Sequence, residues 1–149
     1  MMTPTMLKPS GLFFSLIALF LTQAAAAAPL VLQCPLRYPD AQRLLEMRNK
    51  GWYAPTSDVA GALLNQAGAL TGPAEANGEL RGTDLRNESG RRFNFHGTDE
   101  DGEKWVFCNY ENGSLDLRLM YAVPVSSRFC ETREKRTGRR LVAASIRCE

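Results

Sequence analysis

The stretch KWVFCNYENGSLDLRLMY, residues 104–121, constrains this chain more than any other. Two alternating apolar runs flank Asn112-Gly113. An Asn-Gly pair between such runs is the strongest short-range hairpin signal, because both central residues must take positive φ. With Asn112 and Gly113 as the turn, Glu111 lies opposite Ser114, Tyr110 opposite Leu115, Cys108 opposite Leu117 and Val106 opposite Leu119. Side chains alternate between the two faces of a strand. One face then carries Val106, Cys108, Tyr110, Leu115, Leu117 and Leu119, and it is the expected core. The other carries His96, Trp105, Phe107, Asn109, Asp116, Arg118 and Met120. Its mixed character predicts partial cover by the N-terminal half.

A second alternating run, Arg91 to Gly97, precedes Asp101-Gly102. Taken as another two-residue turn, that pair sets Phe95 opposite Cys108 and Phe93 opposite Tyr110. Both phenylalanines then join the same core face, because pairing register decides which face each side chain meets. Val123 to Cys130 continues the meander, with Pro124 confined to a strand start or edge. Arg133 to Arg140 reads as a charged connection turning at Gly138, and Leu141 to Cys148 as the last strand.

The beginning of the chain has a different character. Lys8 is the only charge before Arg37, Leu12 to Leu21 is apolar apart from Ser15, and Ala24 to Ala28 follow. A positive start, a short apolar stretch and an Ala-x-Ala exit predict a secretory signal peptide over residues 1–28, cleaved after Ala26 or Ala28. The run is short for a membrane span of about 20 residues, so no transmembrane anchor is expected after cleavage. Residues 29–149 are expected to form a single β-rich domain, large enough to bury about two-thirds of its surface. Without Lys8, the 18 Lys+Arg become 17, against 16 Asp+Glu. That balance gives no global reason to bind nucleic acid.

All four cysteines, Cys34, Cys108, Cys130 and Cys148, fall after the leader. An even count in an exported chain reads as two disulfides. Of the three connectivities, the one adopted joins Cys34 to Cys148, tying the terminal strands, and Cys108 to Cys130. No C-x-x-C occurs and there is one histidine, so the sequence predicts neither a metal site nor another cofactor.

The N-terminal half is less decided. Leu30 to Leu36 reads as a strand ended by Pro35. Asp40 to Arg48 is either a helix capped by Asp40 or a strand, because nine residues do not resolve the period. Asn49 to Gly51 is a turn. Val59 to Leu70 suits a helix capped by Ser57 or Asp58, or else a strand over Leu63 to Leu70. Gly72 to Gly90 reads as loop with one short strand at Glu79 to Leu85.

Candidate chemistry is sparse. His96, as a general base, needs a nucleophile and an orienting acid, and Asp99, Asp101, Ser114 and Asp116 do not single one out. Asp99 to Glu103 resembles part of a calcium loop, but Gly97 and Cys108 stand where the first and last ligands belong. Trp52-Tyr53 reads as core, with an interface anchor as the other use of the pair. Asn87 and Asn112 head glycosylation acceptor triplets. Arg133, Lys135, Arg136, Arg139 and Arg140, offset by Glu131 and Glu134, form the one concentrated charge and the expected binding surface for an acidic partner.

Several short motifs together resemble a family of small exported, disulfide-containing proteobacterial proteins of unassigned function. They are Cys34-Pro35 after the leader, Gly51-Trp52, Leu70-Thr-Gly-Pro73 leading to Gly78-Glu-Leu80, Trp105-Val-Phe-Cys108-Asn-Tyr110, and Cys130. The resemblance implies a β-rich fold and tips Leu63 to Leu70 toward strand. Asn109 departs from it, since the family's residue at that position is usually basic. The resemblance carries no catalytic residue.

The expected fold is therefore mostly β: an antiparallel meander, sandwich-like or a curled sheet, with at most one short helix in the N-terminal half. The expected function is that of an exported, periplasmic or secreted, non-catalytic protein that binds another exported protein, such as an inhibitor or immunity-type partner. The alternatives are an envelope structural protein without a dedicated ligand and a small hydrolase using His96.

Overall fold

Strands β6 (Lys104–Asn112) and β7 (Leu115–Ala122) form the central hairpin. The computed structural model describes residues 28–54, 61–75, 78–86, 88–96, 102–112 and 115–149. Residues 1–27 of the leader, the Ser57-Asp58 cap and Asp101 of the Asp101-Gly102 turn lie outside these residues. The hairpin's register differs from the expected one by two positions: Tyr110 faces Leu117, Cys108 faces Leu119, and the last pair is Asn112 with Leu115. A shift of two preserves the faces, since side chains repeat every second residue. Val106, Cys108, Tyr110 and Leu119 are accordingly fully buried together, with Leu117 nearly so. Hydrophobic pattern alone cannot separate two registers of equal parity.

The remaining elements build two antiparallel sheets around that hairpin. In chain order they are β1 (Leu30–Gln33), α1 (Ala41–Asn49), β2 (Trp52–Tyr53), β3 (Leu63–Thr71), β4 (Thr83–Asp84), β5 (Gly90–Asn94), β8 (Phe129–Thr137) and β9 (Arg140–Cys148). One sheet runs β2-β7-β6-β3 and the other β1-β9-β8-β5-β4. Their inner faces meet in one core: Leu64, Ala67, Val106, Tyr110 and Leu119 from the first, Phe93, Cys130, Leu141 and Ile146 from the second. The fold is mostly β with a single short helix in the N-terminal half, as the pattern implied.

Three expectations about the strands need correction. Strand β5 does not pair with β6. It lies between β4 and β8, with Phe93 opposite Cys130. Phe93 and Phe95 do reach the core, but from the opposite sheet. In a sandwich both sheets present alternating apolar residues to the same interior, so an inward pattern does not say which sheet owns it. Arg133 to Arg140 is not a connection: β8 continues to Thr137 and turns at Gly138, whose φ is 60°. A strand with one solvated face tolerates such charges, so a charged run does not exclude a strand. Finally, Val123 to Arg128 crosses from one sheet to the other, rather than extending the meander as a strand.

The open choices in the N-terminal half resolve as helix, then strand. Asp40 caps α1, its Oδ1 accepting the Arg43 N–H at 2.9 Å. Only Leu44 of the helix is buried. Leu63 to Thr71 is a strand because it pairs with β6 along its length, apart from a bulge at Asn65. Sheet pairing outweighs the helical propensity of its Ala and Leu residues.

The disulfides join Cys34 to Cys108 and Cys130 to Cys148. The terminal strands are neighbours, as expected, but they run antiparallel, so Cys148 lies opposite Leu30 while Cys34 lies beside Ala144. Four residues of strand, about 13 Å, separate Cys34 from Cys148, too far for a bond. Cys148 instead faces Cys130 directly across β8 and β9. Cys34 crosses the core to Cys108 with 5.7 Å between Cα atoms, well inside the usual sheet separation of about 10 Å. Ala67, opposite Cys108, and Ala144, beside Cys34, are small enough to admit that approach. The two bonds imply folding in an oxidising, non-cytoplasmic environment. Among the described residues no helix is long and apolar enough to cross a membrane.

The outer face of the β6 sheet is covered as well. Leu70, Phe107 and Met120 form a second buried cluster against Ala74 and Trp105, and Tyr53 lies 6.4 Å from the Trp105 ring. Ala74 and Tyr53 supply the cover that the mixed face required from the N-terminal half.

Candidate functional site

The bulge at Asn65 organises a groove between the two sheets. It places an extra residue in β3 opposite Asn109. The Asn65 amide oxygen accepts from Asn109 Nδ2 at 3.1 Å, and its Nδ2 donates to Glu111 at 3.3 Å. The next residue, Gln66, donates to Glu79 at 3.0 Å. The groove above these residues has a volume of about 440 Å³. Its far wall is the other sheet, through Asp84, Gly90, Arg91, Glu134 and Arg136. It continues past Arg136 to Arg139 and Arg140 at one end, and past Glu79 to Arg81 at the other.

Charge pairing along this groove is lopsided. Its acids are engaged: Asp84 with Arg91 at 3.4 Å, Glu134 with Arg136 at 2.8 Å, Glu79 with Arg118 at 3.2 Å, and Glu111 with Asn65. Arg81, Arg139 and Arg140 have no such partner among the described residues. The charge left over is positive, and it sits on exposed side chains with full freedom to meet a ligand.

The predicted basic cluster is thus divided. Arg136, Arg139 and Arg140 line the groove. Arg133 points away from it and pairs with Glu88 at 3.3 Å, on the outer face that also holds Glu131 opposite Arg147. Lys135 is exposed and is not among the groove residues. Period-two alternation separates neighbours that look contiguous in sequence. The sequence reading missed Asn65, Gln66, Arg81 and Arg91, which come together only because β3 and β5 face each other across the sandwich. A bulge leaves no signature that composition or alternation would have shown.

Other candidates fall elsewhere. Trp52 is buried, edge-on to Tyr121 at 5.4 Å, whereas Tyr53 is exposed, so the aromatic pair is split between core and surface. His96 is exposed and makes no hydrogen bond among the described residues. Asp99, Asp101, Asn87 and the side chain of Asn112 lie outside those residues.

A buried polar pair stands near the crossing disulfide. Tyr110 donates its hydroxyl to the Pro35 carbonyl at 2.9 Å and meets Tyr38 edge-to-face at 5.4 Å. Burial pushes the Tyr110 phenol far above its ordinary pKa of 10, and neighbouring Tyr38 adds to the rise. Tyr38 is raised too, chiefly by burial, with Arg48 opposing. A phenol raised in the folded state contributes stability that is fully present below about pH 10, the unfolded value, and is lost as pH rises toward the folded value. The urea midpoint should therefore fall as pH rises from about 9 to about 11, and fall less steeply in Tyr110→Phe. An equal slope in both proteins would mean that Tyr110 is not responsible.

A scan against protein-family models and searches of curated proteins and of solved structures find nothing that matches this chain.

Proposed function

We propose that this chain is an exported, non-catalytic binding protein that uses the arginine-rimmed groove between its sheets to hold another exported protein, in the manner of an inhibitor or immunity-type partner of a secreted enzyme. One observation carries the reading: Asp84, Glu79 and Glu134 are each paired with an arginine, and Arg81, Arg139 and Arg140 outnumber the one groove carboxylate, Glu111, whose bond goes to a neutral amide. Unpaired rim charges act on encounter rate and partner choice, and a groove braced by two buried disulfides loses little entropy on docking. The leader expected over residues 1–28 and the resemblance to small exported proteobacterial proteins support the location, in the periplasm or outside the cell.

The test is capture of exported proteins on the oxidised chain near physiological salt. A stoichiometric partner is expected. Arg139→Glu with Arg140→Glu should lower its recovery at least tenfold, while Arg147→Ala, on the outer face of β9, should leave it unchanged. Equal recovery by both variants would remove the groove from the function. No partner for the unmodified protein would favour an envelope protein without a dedicated ligand.

A further inference from the structure

Strand β1 is the edge of its sheet, and its free side is exposed. Among the described residues it pairs with β9 alone. The Cys34 N–H donates to the Ala144 carbonyl at 3.0 Å. Backbone groups on a strand point to alternate sides residue by residue, so Leu32 and Leu30 also turn theirs toward β9. The N–H and C=O of Val31 and Gln33 point the other way, out of the sheet. Among the described residues nothing bonds them there. Both residues are exposed, Val31 to 58%. The other sheet edges are guarded. Strands β2 and β4 are two residues long, and β3 is buried from Ala67 to Leu70.

Natural edges are commonly blunted by a charge on the strand. Leu30 to Leu36 carries none. Val31 and Leu36, on this stretch, are two of the six large apolar side chains that stand exposed among the described residues. Pro29 and Pro35 fall on the same alternate positions as Val31 and Gln33, and proline has no N–H. The edge therefore offers two outward donors with a proline beyond each.

That layout is its own complement. Turned end for end about Leu32, it sets Val31 of one copy opposite Gln33 of the other, Leu32 opposite Leu32, and each Pro29 opposite a Pro35. Each Val31–Gln33 pair then exchanges two backbone bonds, and every outward N–H and C=O of these residues is met. Moving the register by two residues either way sets Val31 or Gln33 against a proline and leaves its carbonyl without a donor. Leu30 and Leu32, partly buried against the core, gain cover from their counterparts. An uncharged strand also gives a foreign acidic or basic segment nothing to select it.

We propose that two copies of this chain pair antiparallel through β1, joining their five-stranded sheets into one continuous sheet across a two-fold axis at Leu32. The groove takes no part in this contact, so the proposal goes beyond the binding-protein reading and does not depend on it. Strands this short bury less than the about 1,200 Å² of a stable interface, so the dimer is weak.

Sedimentation equilibrium of the oxidised chain, from about 10 µM to about 1 mM to cover a weak contact, should show reversible monomer and dimer. Val31→Pro removes an outward N–H and leaves the bonds to β9 in place, as proline on an edge strand can. It should weaken dimerisation at least tenfold. Val31→Lys supplies the missing edge charge, should do the same, and decides the matter if the proline variant does not fold. Arg139→Glu with Arg140→Glu should dimerise like the unmodified chain. Mild oxidation of Val31→Cys mixed with Gln33→Cys should give the mixed cross-linked dimer in preference to either like pair. Opposite residues lie about 5.5 Å apart at Cα, within disulfide reach, whereas diagonal ones lie about 7–8 Å apart. A chain that stays monomeric to the top of the concentration range would overturn the proposal. So would a dimer that both Val31 variants leave unchanged, or equal yields of mixed and like cross-links.

Discussion

Replacing Cys34 and Cys108 together with alanine should destabilise the fold by about 4–5 kcal/mol, against about 3 kcal/mol for Cys130 with Cys148, if chain entropy dominates. The bonds close sequence separations of 74 and 18 residues, and the denatured chain gains more freedom when the longer loop opens. A loss of that size is a large part of the 5–15 kcal/mol typical of a whole domain. The melting temperature of the Cys34/Cys108 double variant should drop by about 15 °C or more. Thermal unfolding of both double variants measures the order directly. Peptide mapping without reduction should recover Cys34 linked to Cys108, and a Cys34–Cys148 peptide would overturn the assignment. Cys34–Cys108 is also the bond that holds the two sheets together, so its loss should loosen the groove, whereas Cys130–Cys148 lies within one sheet.

Gly90→Ala should cost about 2–3 kcal/mol, the upper end of the usual overpacking range. A Cβ at residue 90 would stand 2.0 Å from the Thr132 carbonyl oxygen and 3.2 Å from the Arg133 Cα. Both are backbone of β8, which is held between β5 and β9 and cannot withdraw without breaking pairs on one side. Gly90 also accepts the Leu85 N–H at 3.0 Å, so its displacement disturbs β4 as well. Gly138→Ala is the useful contrast. It meets nothing within 4 Å, and its positive φ alone should cost about 1 kcal/mol. Urea midpoints of the two variants test the difference. Equal, small effects would mean that β5 does not lie against β8 as described.

Much of the architecture follows from local chemistry. Asn112-Gly113 between alternating runs predicts the β6–β7 hairpin, and alternation alone predicts its buried face. Asp40 offers a helix cap, but the period left helix and strand open over Asp40 to Arg48 and again over Leu63 to Leu70. An even cysteine count after a leader-like start predicts two disulfides. These features are carried by residues within a few positions of one another, where steric limits on φ and ψ and the two-residue period act directly.

What the sequence could not say depends on which strand lies beside which. Phe93 shows the inward pattern of a core strand in either sheet. Its assignment to the β8 side rests on pairing across some forty residues. Cys148 meets Cys130 rather than Cys34 because β9 runs antiparallel to β1, and the sense of that pairing is a property of the whole sandwich. The groove has the same origin. Arg136, Arg139 and Arg140 were visible as a basic run, but the β8 alternation sends Arg133 to the opposite face. Asn65, Gln66, Ala67 and Arg91 join the remaining arginines only when β3 and β5 face one another. Local preferences determine the strands and their faces. Long-range pairing, chosen by the fit of the common core, determines which strands meet and where the groove between the sheets lies.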